Sequence, residues 1–150
     1  MKKRVGLFMG LSVLINAQDE GTATMNIKAQ IVRPLKVEVT KSIDFGQVVA
    51  GTFSRVDGEF KVSGEPGEKY VVYIKELGEG NGEGQIEMKN EKDPSIKFPV
   101  RAWTDLFGFN PTINTKTGYN YHTVGVDLNV PSTQIPGNYK SNLTMIVRYE

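Results

Sequence analysis

Ala23-Thr24-Met25-Asn26-Ile27-Lys28-Ala29-Gln30-Ile31 alternates without a break, with every odd position apolar and every even position polar. Side chains on a strand point to opposite faces with a period of two. The pattern therefore predicts one β-strand with one apolar face. It lies close behind a hydrophobic N-terminus. A strand there can pair within its own domain or with another chain, and that choice governs how the rest of the sequence is read.

Residues 1–17 read as a secretory signal. Lys2, Lys3 and Arg4 form the basic start, Val5 to Ile15 the apolar centre, and Ala17 a small residue suited to cleavage. The apolar centre is too short to span a bilayer as a helix. The expected organisation is a signal peptide over 1–17, an N-terminal extension over 18–32 and one β-domain over 33–150. Losing the signal takes the formal charge from +1 to −2. A weakly acidic domain has no electrostatic footprint for nucleic acid, nor a basic patch for anionic membrane. The chain has no cysteine. This excludes a thiol nucleophile, a cysteine metal site and a lipid-modified cysteine, and it leaves the core to hold the fold without disulfides.

Beyond the extension the strand signals continue. Leu35, Val37 and Val39 keep the odd phase after Pro34, which cannot donate to a ladder and marks a break. Ile43 to Gly51 reads as a short strand with glycines at a bend. Phe60 and Val62, Ile86 and Met88, Ile96 to Ala102, and Val124 to Val130 each alternate. Tyr70 to Ile74 is continuously apolar, as a central strand would be. Tyr139, Leu143, Met145, Val147 and Tyr149 share one phase and read as a last strand on or near a sheet edge. No amphipathic helix of useful length is visible outside the signal. Many short strands with Gly/Pro turns predict an all-β, immunoglobulin-like β-sandwich. Thr104 to Tyr121 has no period and reads as a long surface excursion.

Little here suits catalysis. The single histidine, His122, begins a strand, and no G-x-S-x-G turn accompanies it. Glu76, Glu79 and Glu83 surround a glycine-rich turn, but their spacing does not match a calcium loop, and the turn lacks a phosphate-loop lysine. No metal or cofactor is expected, and the chain reads as a non-enzyme. The one group that suggests a ligand is aromatic: Trp103, Phe107, Phe109, Tyr119 and Tyr121. On a loop these could stack on a sugar or anchor a protein, or they could pack down on the sandwich.

The order of motifs resembles a family. An alternating N-terminal segment, then Ile31-Val32-Arg33-Pro34-Leu35-Lys36-Val37, then Phe45-Gly46 with Gly51, then Pro136-Gly137-Asn138-Tyr139 before an alternating end, is similar to the subunits of chaperone–usher pili, in their cysteine-free branches. It is also similar to a broader group of bacterial secreted β-sandwich domains of uncertain role. The resemblance implies a sandwich completed by a donor strand, with export through the periplasm to the cell surface or fimbrium. It implies that Ala23, Met25, Ile27, Ala29 and Ile31 form the donor face and that Leu143, Met145, Val147 and Tyr149 line part of the acceptor groove. The implied partners are neighbouring copies in a head-to-tail polymer, a periplasmic chaperone and an outer-membrane usher. The alternative expectation is a monomeric secreted or cell-surface β-sandwich domain whose aromatic residues bind a carbohydrate or protein.

Overall fold

The computed structural model describes residues 19–106 and 110–150. The chain divides after Ile31 into two units. In the first, residues 19–31 form no strand and every one is exposed; Met25, Ile27 and Ile31 are 86%, 91% and 94% exposed. The strand expected over 23–31 is therefore absent. A strand needs a neighbour to take up its N–H and C=O groups, and alternation supplies a face but no neighbour. The expected signal peptide, residues 1–17, lies outside the described residues.

The second unit, Val32–Glu150, is all-β and antiparallel, with no helix among the described residues. Its strands are β1 (Lys36–Lys41), β2 (Phe53–Ser63), β3 (Tyr70–Ile74), β4 (Glu83–Asn90), β5 (Lys97–Thr104), β6 (Tyr119–Asn129), β7 (Tyr139–Lys140) and β8 (Met145–Tyr149). Six of them form one sheet in the order β1-β2-β6-β5-β4-β7, while β3 and β8 form a second, two-stranded sheet. One core joins them. Phe60, Val62, Phe98, Val100, Val124, Val126 and Leu128 come from the large sheet, and Tyr70, Val72 and Ile74 from the small one. Two antiparallel sheets sharing one apolar core is the arrangement the alternation called for.

The layers are unequal, and this positions everything else. Val37 and Val39 stand opposite the buried Val62 and Phe60, yet they are 37% and 55% exposed. The large sheet thus presents inner-face side chains that the small sheet does not cover. After β1 the chain crosses that inner face at Gly58. A Cβ there would stand 2.8 Å from the Lys41 carbonyl oxygen and 2.9 Å from the Ile43 side chain, so only glycine admits the crossing.

Two expected strands differ from what forms. Ile43 to Gly51 contains none; Gly46 and Gly51 have φ of 63° and 83°, which interrupts any extended run. The last strand is split in two. Tyr139–Lys140 pairs with β4, and Met145–Tyr149 pairs with β3 in the other sheet. Residues 141–144 carry the chain between layers.

On the outer face of the large sheet, Arg55, Asp127, Arg101 and Glu83 form one ion-pair row, with N···O distances of 2.6–2.8 Å. Trp103 lies directly over its cross-strand partner Gly125, and the Arg55 guanidinium sits 5.1 Å from the centre of its ring. A Cβ on Gly125 would stand 2.3 Å from the indole. Gly125→Ala is expected to displace Trp103 and to cost about 1–3 kcal/mol, as overpacking does. Urea unfolding should show a lower midpoint, and the emission of the single tryptophan should shift red.

Candidate functional site

The inner face of the large sheet forms the floor of a groove with a cavity volume of about 1080 Å³. Its floor is apolar: Phe60 from β2, Ile86 and Met88 from β4, Phe98 from β5, and Val124, Val126 and Leu128 from β6. One wall is the strandless run from Ser42 to Ala50, which inclines Ile43 and Phe45 inward. The other is the stretch from Gln134 to Leu143 and on to Met145. Charged side chains, including Lys41, Glu59, Glu91 and Lys140, line it as well.

Strand β8 borders this groove, and its only sheet partner among the described residues is β3. β1 approaches it without pairing, so among the described residues the other edge of β8 carries no ladder. Both ends of β8 are fixed by polar contacts. At its start, Glu76 accepts bonds from the Thr144 backbone N–H at 2.7 Å and the Thr144 hydroxyl at 3.0 Å. Partial burial alone would raise the Glu76 carboxyl; the Thr144 bonds outweigh it and hold the group below its ordinary value. At its end, the Tyr149 hydroxyl accepts the Glu65 N–H at 2.8 Å and donates to the Arg33 carbonyl.

The four residues expected to line an acceptor groove are placed unevenly. Leu143 and Met145 line the cavity; Val147 and Tyr149 pack against the same core further along β8. Ala23, Met25, Ile27, Ala29 and Ile31 all lie in the exposed segment. The floor residues and the wall from Ser42 to Ala50 were not singled out in the sequence. Alternation marked Phe60, Ile86, Phe98 and Val124 as inward-facing, but burial and groove-lining give the same pattern.

The aromatic group does not converge. Phe107 and Phe109 lie outside the described residues. Tyr119 and Tyr121 begin β6 and meet edge to face at 5.5 Å, with the Lys61 ammonium 5.1 Å from the Tyr119 ring. Trp103 stands against Gly125, four residues along that strand from Tyr121, or about 13 Å away. The expected excursion therefore ends before Tyr119, because cross-strand pairing with Ser63 and Lys61 draws both tyrosines into the sheet. The three carboxylates of the glycine-rich turn also separate: Glu76 holds Thr144, Glu79 pairs with Arg148 and Glu83 with Arg101.

His122 is buried on the core face of β6, not at a strand edge. Its Nε2 lies 2.6 Å from the Tyr70 hydroxyl, which also accepts a bond from the Asn120 side-chain amide at 2.9 Å. With that bond accepted, the phenol proton is free to go to Nε2, which places the imidazole proton on Nδ1, 3.9 Å from Asp105 Oδ1. The phenol is itself buried, and that burial raises its pKa.

No family model, curated protein or solved structure matches the chain.

Burial lowers the His122 pKa from its ordinary 6.5, and Asp105 offsets part of this. The folded state thus resists a proton that the unfolded state accepts. Stability is expected to be flat above about pH 6.5 and to fall as the pH drops below it, until the lower folded-state pKa is passed. In denaturant titrations from pH 8 to 5, His122→Gln should flatten this decline; an unchanged decline would assign it to other groups.

Proposed function

We propose that this chain is a structural subunit of a bacterial surface pilus, assembled head to tail by donor-strand exchange, and that its fold is an immunoglobulin-like sandwich completed by a strand from another copy. One observation carries this reading: an apolar groove opens at the start of β8, whose outer edge carries no ladder among the described residues, while an alternating apolar segment of the same chain is exposed. Residues 23–31 would extend over about 26 Å as a strand, enough to pass along β8 (Met145–Tyr149) and the connecting residues 141–144. A strand laid beside β8 would pair its backbone with that edge, and its odd side chains would enter the groove. The residues proposed to enter are Ala23, Met25, Ile27, Ala29 and Ile31. The periodic fit is strict, because slipping by one residue would turn Thr24, Asn26, Lys28 and Gln30 inward.

Burying the three large donor side chains is worth roughly 5–9 kcal/mol at about 1.5–3 kcal/mol each, before ladder bonds and ordering costs. That is enough for a long-lived linkage. A head-to-tail contact of this kind need not close, so it extends into a filament. The resemblance adds a chaperone that occupies the groove first and an usher that mediates assembly, both as parts of this proposal.

The test is polymerisation of the full chain. Electron microscopy and sedimentation should show filaments, and Ile27→Asp should reduce assembly at least a hundredfold, as burial of an unpaired charge does. A labelled peptide of residues 23–31 should still be captured by that variant, since its groove is unchanged. A chain that stays monomeric at high concentration and captures no peptide overturns the reading.

A further inference from the structure

The segments Gln47–Ser54 and Asn129–Tyr139 contain no Asp, Glu, Lys, Arg or His, although 23% of the chain is charged. The fold brings them together. Gly51 N–H donates to the Val130 carbonyl at 2.8 Å, and Val130 N–H donates to the Thr52 carbonyl at 3.1 Å. They form one pole of the Val32–Glu150 unit, and that pole exposes large apolar side chains. Val49 is 71%, Phe53 63%, Ile135 53% and Val48 39% exposed. Scattered exposed apolar residues need no explanation. A cluster from which charge is missing is the composition of an interface centre.

We infer that this pole seats the body of the copy whose extension fills the groove. The inference rests on the proposed strand exchange and adds the surface on which the second body lands. Val48, Val49 and Ile135 also line the groove, so the pole is its rim at the Leu143 end. The tether supplies the second argument. In each copy the donor segment ends at Ile31, and Arg33 is already fixed to the body by its N–H to Glu65 at 3.0 Å and by Tyr149. Val32 alone lies between them, so Ile31 stands no more than about 7 Å from Arg33. The donor's body must therefore sit at whichever end of the acceptor's groove its Ile31 reaches.

At the Tyr149 end that place is taken by the acceptor's own Arg33, Glu65 and Leu35. At the Leu143 end lies the uncharged pole. The donor strand then runs opposite to β8. A chain filling its own groove in that direction would need to return about 26 Å from Ile31 to Arg33, which Val32 cannot span. The same geometry excludes self-filling in the direction opposite to β8 and leaves it only in the parallel direction, in which Ile31 would lie at the chain's own Tyr149 end.

The absence of cysteine makes crosslinking decisive. In the full chain, Lys116→Cys places a thiol on the loop leading into Gly118, which lies beside Arg33, and Ser132→Cys places one on the uncharged pole. Filaments of the double variant, oxidised and run without reductant, should give a ladder of covalent oligomers; each single variant should not. Phe53 lies outside the groove lining, so Phe53→Lys should cut filament formation at least tenfold while capture of the 23–31 peptide stays within twofold. Filaments that form without the ladder, or that are indifferent to Phe53→Lys, overturn this inference and leave strand exchange standing. No filaments and no peptide capture from the parent chain overturn both.

Discussion

A sheet edge must satisfy its backbone groups, and an apolar face must be covered; the Val32–Glu150 unit meets neither demand completely along β8. Six strands face two. The floor residues Phe60, Phe98 and Val126 are buried because walls close over them, but Val37 and Val39 on the same face are not. The groove is thus a direct outcome of strand count. Had Ile43 to Gly51 formed a strand against β8, the small sheet would have gained a member and the groove would have closed. Gly46 and Gly51, with positive φ, keep that run out of any ladder.

Much of the fold was legible as period two. β2, β4, β5 and β6 follow from alternation, since each buries one face and exposes the other. Alternation does not report which layer a strand joins. Tyr139 and Tyr149 share a phase, yet β7 joins the large sheet and β8 the small one. Tyr70 to Ile74 is continuously apolar, as a central strand would be, but among the described residues its one partner strand is β8, with Val71 and Tyr73 half-buried on its outer face. The crossing at Gly58 depends on a contact with residues 41–43 that no local pattern announces. Of the site itself, Leu143 and Met145 were legible. The walls were not, because a groove wall and a surface loop share one composition. The burial of His122 was not legible, because its partners, Tyr70 and Asn120, are a phenol and an amide set by register.

An open groove places a special demand on the layer beside it. Apolar contact is non-directional, and a half-covered small sheet held by it alone could slide inward and close the gap. The polar contacts around β3 and β8 answer this. Glu76 fixes Thr144 at one end of β8, and Tyr149 is tied to Glu65 and Arg33 at the other. Across the core, Tyr70 of β3 reaches His122 of β6. Each bond has a preferred length and direction, so together they set the height and register of the small sheet without needing its free edge to be filled. Placing a histidine in the core costs proton affinity, and the direction of its pKa records that cost. In return the two sheets are held apart at a fixed spacing, so that the proposed donor strand would meet a slot already formed.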